Sequence, residues 1–270
     1  MTFSIVGRSA DGQSLGIAVA SKFLAVGAAV PAAEAGVGAL ATQALANLAY
    51  RPQGLALLRT GTAAADVVAG LTAADPGRAE RQLGVVGPAG PGATYTGAEC
   101  FAWAGGVAGD GYAIQGNILA GQAVVTEMER AWLAAPALPL ARRLHAALAA
   151  GDAAGGDRRG RQSAALFVVR RGAGYGGLSD VEVDLRVDDD PDPVTRIGAL
   201  LSLWELYFGK PDPATLLPLE GPLADEVREH LAALGHTDLA AWAGVENLEE
   251  RLVDGAIDPL VLSHLRTAAG

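Results

Sequence analysis

Alternation between apolar and polar positions starts almost at once. TFSIVGR (2–8) and LGIAVAS (15–21) each read as a strand, and Ala10-Asp11-Gly12 between them supplies a tight turn, so the pair predicts a β-hairpin. Residues 22–35 are apolar but broken by Gly27 and Pro31, which predicts a buried loop. GVGALATQA (36–44) is small and uncharged throughout, as a strand covered on both faces would be. Helical spacing follows. Pro52 suits a first helical position ahead of QGLALLRTG, and Thr62 suits the cap of TAAADVVAGLTAAD. Strand patterns return at 81–88, 92–100 and 111–119, then two amphipathic helices ending near Gly151, then strands at 162–171 and 180–188. A long helix opens after Asp192.

The order is strands, two helices, strands, two helices, strands, helix. Segregated blocks of this kind predict an α+β protein rather than a doubly wound parallel sheet. Two packed sheets with a helix pair on each outer face, a four-layer αββα sandwich, would cover every apolar face. At Lys210-Pro211-Asp212-Pro213 the composition shifts, so the expected division is 1–209 for the sandwich and 210–270 for a small helical module.

Charge sharpens that division. Of the net −10, residues 211–270 carry −8, with eleven acids and three bases. An acidic tail argues against nucleic acid and anionic membranes as partners. No apolar run approaches the roughly 18 residues of a membrane span. With no secretory pattern and one cysteine, Cys100, the expectation is a cytoplasmic chain. Its expected assembly is an oligomer of identical chains.

The chemistry is sparse. There is no Gly-x-Ser-x-Gly stretch, no Cys/His ligand set and no phosphate loop. The glycines of GGVAGDGYAIQGN precede a strand instead of opening a helix, so they are no dinucleotide fingerprint. Neither a metal nor a cofactor is expected. What remains is Thr2. If Met1 is removed, Thr2 carries a hydroxyl and an α-amine on one residue. That amine has an ordinary pKa of about 7.7–8 and can take the hydroxyl proton directly or through one water. The hairpin ends in Ser21 and Lys22. Lys22 either lowers the pKa of that amine or is an ordinary solvated side chain. ATQALAN places Thr42, Gln43 and Asn47 after a strand, and Gln115 and Asn117 share one face of YAIQGN. These amides either donate to a substrate carbonyl or oxyanion, or serve turn chemistry. GGDRRGRQS brings Asp157, Arg158, Arg159 and Arg161, which either grip a substrate carboxylate or form a salt-bridge network with Asp188, Asp189 and Asp190.

TFSIVGR, GIAVASKFLAVGAAVP, AGVGALATQALAN, RQLGVVG, GYAIQGNILAG, GGDRRGRQSAALFVVR and VDLRVDDDPDPV, in that order, resemble family 1028 of the domains of unknown function, over residues 1–208. That family is grouped with the N-terminal-nucleophile (Ntn) hydrolases. The resemblance implies an αββα sandwich and places Thr2 where the superfamily holds its nucleophile. Residues 212–270, with WAGVENLEERL and IDPLVLSHLR, resemble a peptidoglycan-binding module. The expected function is hydrolysis of an amide bond (peptide, amino-acid amide or ureido-like) in a small substrate. Thr2, Lys22 and Asn117 would be catalytic, and Gln43, Gln115, Asp157, Arg158 and Arg161 would bind the substrate. The alternative is a non-catalytic binding protein on the same scaffold, with the tail holding a glycan or a protein partner. A third reading makes the tail an oligomerisation or docking module alone.

Overall fold

A computed structural model describes residues 2–270. The chain separates into two compact units, divided between Leu201 and Ser202. The first opens with the predicted hairpin, β1 (Thr2–Arg8) and β2 (Ser14–Ser21), in the register that the short turn imposes: Phe3 faces Ala20 and Arg8 faces Leu15. Residues 22–35 differ from the buried loop expected. They form a single helical turn, α1 (Val26–Ala29), and a short strand, β3 (Pro31–Glu34), while Phe23 and Leu24 lie in solvent. Pro31 cannot donate to a ladder, and β3 accordingly lies at a sheet edge.

β4 (Gly38–Ala44) follows, then α2 (Tyr50–Arg59) and α3 (Ala64–Ala73). Pro52 is the third residue of α2 and not its first. Thr62 does not cap α3, because its hydroxyl pairs with that of Thr60 at 2.9 Å. β5 (Arg81–Val86), β6 (Ala93–Thr96), β7 (Gly105–Gly109) and β8 (Tyr112–Asn117) come next, and then α4 (Ala123–Ala134) and α5 (Leu140–Ala153). β9 (Ser163–Arg170), β10 (Val181–Val187) and α6 (Pro193–Phe208) complete the series.

These strands build two antiparallel sheets, one in the order β10-β9-β2-β1-β8-β7 and the other β3-β4-β5-β6. The sheets face each other across Val6, Leu15, Ile17 and Val19 from one side and Ala39, Ala41 and Val86 from the other. The outer face of the smaller sheet carries Leu40, Leu83 and Val85 against Tyr50, Leu58, Val67 and Leu71 of α2 and α3. The outer face of the larger sheet meets α4 and α5 closely. A Cβ on Gly7 would stand 2.6 Å from the Trp132 ring, and one on Gly16 would stand 2.7 Å from the Phe167 carbonyl oxygen and 2.9 Å from Leu144. The result is the four-layer αββα sandwich that the block order predicts.

A buried carboxylate, Asp75, ties the segment after β4 to the base of β5. It accepts hydrogen bonds from Asn47 Nδ2 (3.1 Å), Tyr50 Oη (2.9 Å), Arg81 Nε (3.0 Å) and the Gly77 amide (2.8 Å). The Asn47 bond, followed by the Gly77 amide and Arg81, holds its carboxyl well below the usual carboxylate range. A group whose folded pKa is depressed adds stability above its unfolded pKa of about 3.9 and loses it as pH falls towards the folded value. Denaturant melts should therefore show stability dropping below about pH 4, and Asp75→Asn should flatten that acid limb while lowering stability at neutral pH. An unchanged acid limb would contradict this account of Asp75.

In the second unit, α7 (Gly221–Ala233), α8 (Leu239–Glu246) and α9 (Pro259–Ala269) surround Trp242, Ala243, Leu248 and Leu265. A two-residue ladder of β11 (Leu217–Pro218) with β12 (Ala256–Ile257) lies beside them. α8 stops at Glu246, where Asn247 takes a left-handed conformation (φ 59°). Asp238 and Asp258 cap α8 and α9 by accepting from Ala241 and Leu260 amides, each at 2.8 Å. No helix among the described residues is long and apolar enough to cross a membrane.

Candidate active site

Most of the space between the sheets is apolar, but one end is not. Thr2 heads β1, the strand paired with both β2 and β8. The registers of those pairings set Ser21 and Asn117 beside it on the face turned to the smaller sheet. Thr2 is 5% exposed and Ser21 2%, and the two hydroxyls lie 3.2 Å apart. Removal of Met1 concerns a residue outside those described.

Behind Thr2, a directed chain of side-chain hydrogen bonds crosses from sheet to sheet. Gln115 Nε2 donates to Ser4 Oγ (2.7 Å), Ser4 Oγ to Gln43 Oε1 (2.7 Å), and Gln43 Nε2 to Gln82 Oε1 (2.8 Å). Gln82 Nε2 then donates to the Gly116 carbonyl (2.7 Å) and to Thr96 Oγ1 (2.9 Å). Two members also hold the backbone of Thr2: its carbonyl accepts from Gln43 Nε2 at 3.2 Å and, at 3.5 Å, from Asn117 Nδ2. Asn117 Nδ2 makes its shorter bond to Gln82 Oε1, at 2.9 Å. Every one of these glutamines and asparagines is at most 1% exposed. Gln115 Oε1 has no hydrogen-bond partner among the described residues. It lies flat over Gly84, where a Cβ would stand 2.0 Å away, so this position admits no side chain.

Buried amide networks of this kind lose much when one member is deleted, because its partners keep their desolvation cost. Gln82→Leu removes the donor to the Gly116 carbonyl and the acceptor shared by Gln43 Nε2 and Asn117 Nδ2. Chemical denaturation should show a loss of about 2–4 kcal/mol. A change of less than about 0.5 kcal/mol, the ordinary surface value, would mean the network contributes little.

A cleft of about 700 Å³ opens beside this end. Ser21 lines it, with Phe3, Ala20, Asp157, Arg158 and Arg161. Asp157 is buried and acts on the protein itself. It accepts from the Lys22 amide (2.8 Å) and the Arg159 amide (2.9 Å), and pairs with the Arg159 guanidinium at 3.1 Å. Arg161 Nε donates to both oxygens of Asp152 (2.8 and 3.0 Å). The network expected with Asp188, Asp189 and Asp190 is therefore replaced. Asp189 takes its hydrogen bond from Gln162, at 3.1 Å, while Arg159 turns to Asp157 and Arg161 to Asp152.

The structure thus gathers Thr2, Gln43, Gln115 and Asn117 into one network, and Asp157, Arg158 and Arg161 into the adjoining cleft. Lys22 stands apart from the network. It is exposed, and its ammonium donates to the Arg161 carbonyl at 3.3 Å. The amide of Asn117 is likewise held within the network instead of standing open to the cleft. The sequence does not single out Ser4 or Gln82, and it gives Ser21 a place at the hairpin's end but no role. Ser21 was within reach, since the hairpin register pairs residues whose numbers sum to 23, which sets it opposite Thr2. Gln82 had no such signal, being one polar residue beside Arg81 at the start of RQLGVV.

Residues 207–265 match the family described as "Putative peptidoglycan binding domain". No curated protein matches the chain. Among solved structures, it is similar to the crystal structure of protein SPO2555 from Silicibacter pomeroyi, described as DUF1028. The two are 30% identical with a TM-score of 0.68, over 83% of this chain and 92% of that one. Residues 2–197 match the family of unknown function DUF1028, to which this chain belongs.

Proposed function

We propose that the protein is an Ntn-type hydrolase that cleaves an amide bond in a small substrate, with Thr2 as the nucleophile. The observation that carries this reading is the setting of Thr2. It heads a central strand of the larger sheet, is 5% exposed, and has its hydroxyl 3.2 Å from Ser21, which lines the cleft. Loss of Met1 frees the α-amine beside that hydroxyl. A neutral amine takes the hydroxyl proton, the oxygen attacks the carbonyl, and the amine returns the proton to the leaving nitrogen as the C–N bond breaks; water, deprotonated by the same amine, then hydrolyses the ester left on Thr2, releasing the acid and restoring the hydroxyl. Ser21 orients the hydroxyl. Gln43 and Asn117 act as positioning residues by gripping the Thr2 carbonyl, since a nucleophile displaced by about 1 Å loses much of its rate. Lys22 has its place at the rim, on the Arg161 carbonyl, and takes no part at the amine.

The test is a screen of amino-acid amides, short peptides and ureides on protein whose N-terminus has been verified as Thr2. Turnover that disappears in Thr2→Ala supports the reading, and turnover that persists there rejects it.

The match of residues 207–265 favours a second element, in which the C-terminal unit binds glycan and brings the hydrolase to its substrate. Co-sedimentation of the full chain with purified peptidoglycan tests this. Protein left wholly in the supernatant would count against it and favour a docking role.

A further inference from the structure

The charges around the cleft do not cancel. Four ionisable side chains line it: Asp152, Asp157, Arg158 and Arg161. Arg161 is paired with Asp152 through both carboxylate oxygens, and Asp157 is satisfied by Arg159 and two backbone amides. That leaves Arg158. Its backbone amide is fixed on the Ile118 carbonyl at 3.2 Å, while its exposed guanidinium has no ion pair among the described residues. An arginine fork presents paired N–H donors whose spacing matches a carboxylate. The apolar part of the lining includes Phe3, Pro191, Pro193 and Val194. Ser21 also lines the cleft, and its hydroxyl lies 3.2 Å from that of Thr2.

We propose that the cleft selects a small amide bearing a free carboxylate, with Arg158 as the carboxylate anchor. The apolar body of such a molecule lies on this apolar lining and its amide faces Ser21. The orientation towards Thr2 rests on the nucleophile reading above, whereas the carboxylate anchor does not. A monoanion fits better than a phosphate dianion, because a single unmatched positive charge is available and a second negative charge would lie beside Asp152 and Asp157. The volume of about 700 Å³ suits a small metabolite-sized ligand more than a folded partner.

The experiment is a ligand-observed NMR titration of the full chain with matched pairs: N-acetylglycine against N-acetylglycinamide, and N-acetyl-leucine against its amide. The acids should bind about tenfold more tightly than the amides, the scale of a charge-assisted hydrogen bond at a partly exposed site. Arg158→Gln should erase that preference, whereas Arg130→Gln, an exposed change on α4, should keep it. Equal binding of acid and amide, absence of saturation at millimolar ligand, or a preference that survives Arg158→Gln would each overturn the proposal. Thr2→Ala should bind the acids like the parent, which separates the two ideas. Acid-selective binding without any turnover rejects the nucleophile reading and keeps the anchor. Turnover without acid preference does the reverse.

Discussion

Thr2→Ala is expected to reduce amide hydrolysis by at least about 10⁴-fold, the scale on which enzymes lose rate when their nucleophile is removed. It should hardly alter stability. The lost groups are one methyl and one hydroxyl, whose contact with Ser21 is 3.2 Å long, so the melting temperature should move by only a few degrees. Thr2→Ser keeps both the hydroxyl and the α-amine and should retain measurable turnover. Ser21→Ala should slow the reaction far less than Thr2→Ala, because it orients the attacking group without supplying it. A Thr2→Ala protein that folds and hydrolyses at the parent rate would remove Thr2 from the chemistry.

The largest stability effect should come from the second unit. Arg251 and Asp258 form an ion pair at 2.5 Å with side chains only 6% and 5% exposed. Arg251 Nε also donates to the Leu206 carbonyl at 2.6 Å, and Nη2 to that of Glu205, so one guanidinium closes the end of α6 as well as meeting the carboxylate. Arg251→Met removes the ion-pair partner of the buried Asp258 side chain, at a cost of about 3–5 kcal/mol. Hydrogen exchange in α7–α9 should accelerate accordingly while the sandwich stays protected. Pairing Arg251→Met with Asp258→Leu should recover part of the loss, since a buried ion pair contributes less than the penalty for breaking it. If Arg251→Met left exchange in α9 unchanged, the pair would be incidental.

Much of the sandwich is legible in the sequence because its signals are local. The Asp11-Gly12 turn fixes the β1–β2 register, and that register alone predicts the neighbour of Thr2. Block order gives the layers. Other parts are not legible because tertiary contacts override local preference. GGVAG carries no strand signal, yet it forms β7. Glycine is required there because a Cβ on Gly105 would meet the Trp103 ring at 2.7 Å and one on Gly106 the Ile114 carbonyl at 2.6 Å. The polar network is the sharper case. Gln43 and Gln115 are visible as polar residues in strands, but that they meet through Ser4, and that Gln82 completes the chain, depends on how two sheets stack. The 158–161 loop shows the reverse. Its charges are obvious, but which acids Arg159 and Arg161 reach is decided by loop geometry: glycines with positive φ at 155, 156 and 160 turn it back towards Asp152 and Asp157.

The central claim is that the Thr2 hydroxyl is activated by an amine on the same residue. The most direct measurement is mass spectrometry of the N-terminal peptide, on protein produced with nothing added ahead of Met1. The expected peptide begins at Thr2 with a free, unmodified α-amine. A peptide that retains Met1, or a Thr2 amine blocked by acylation, would contradict it.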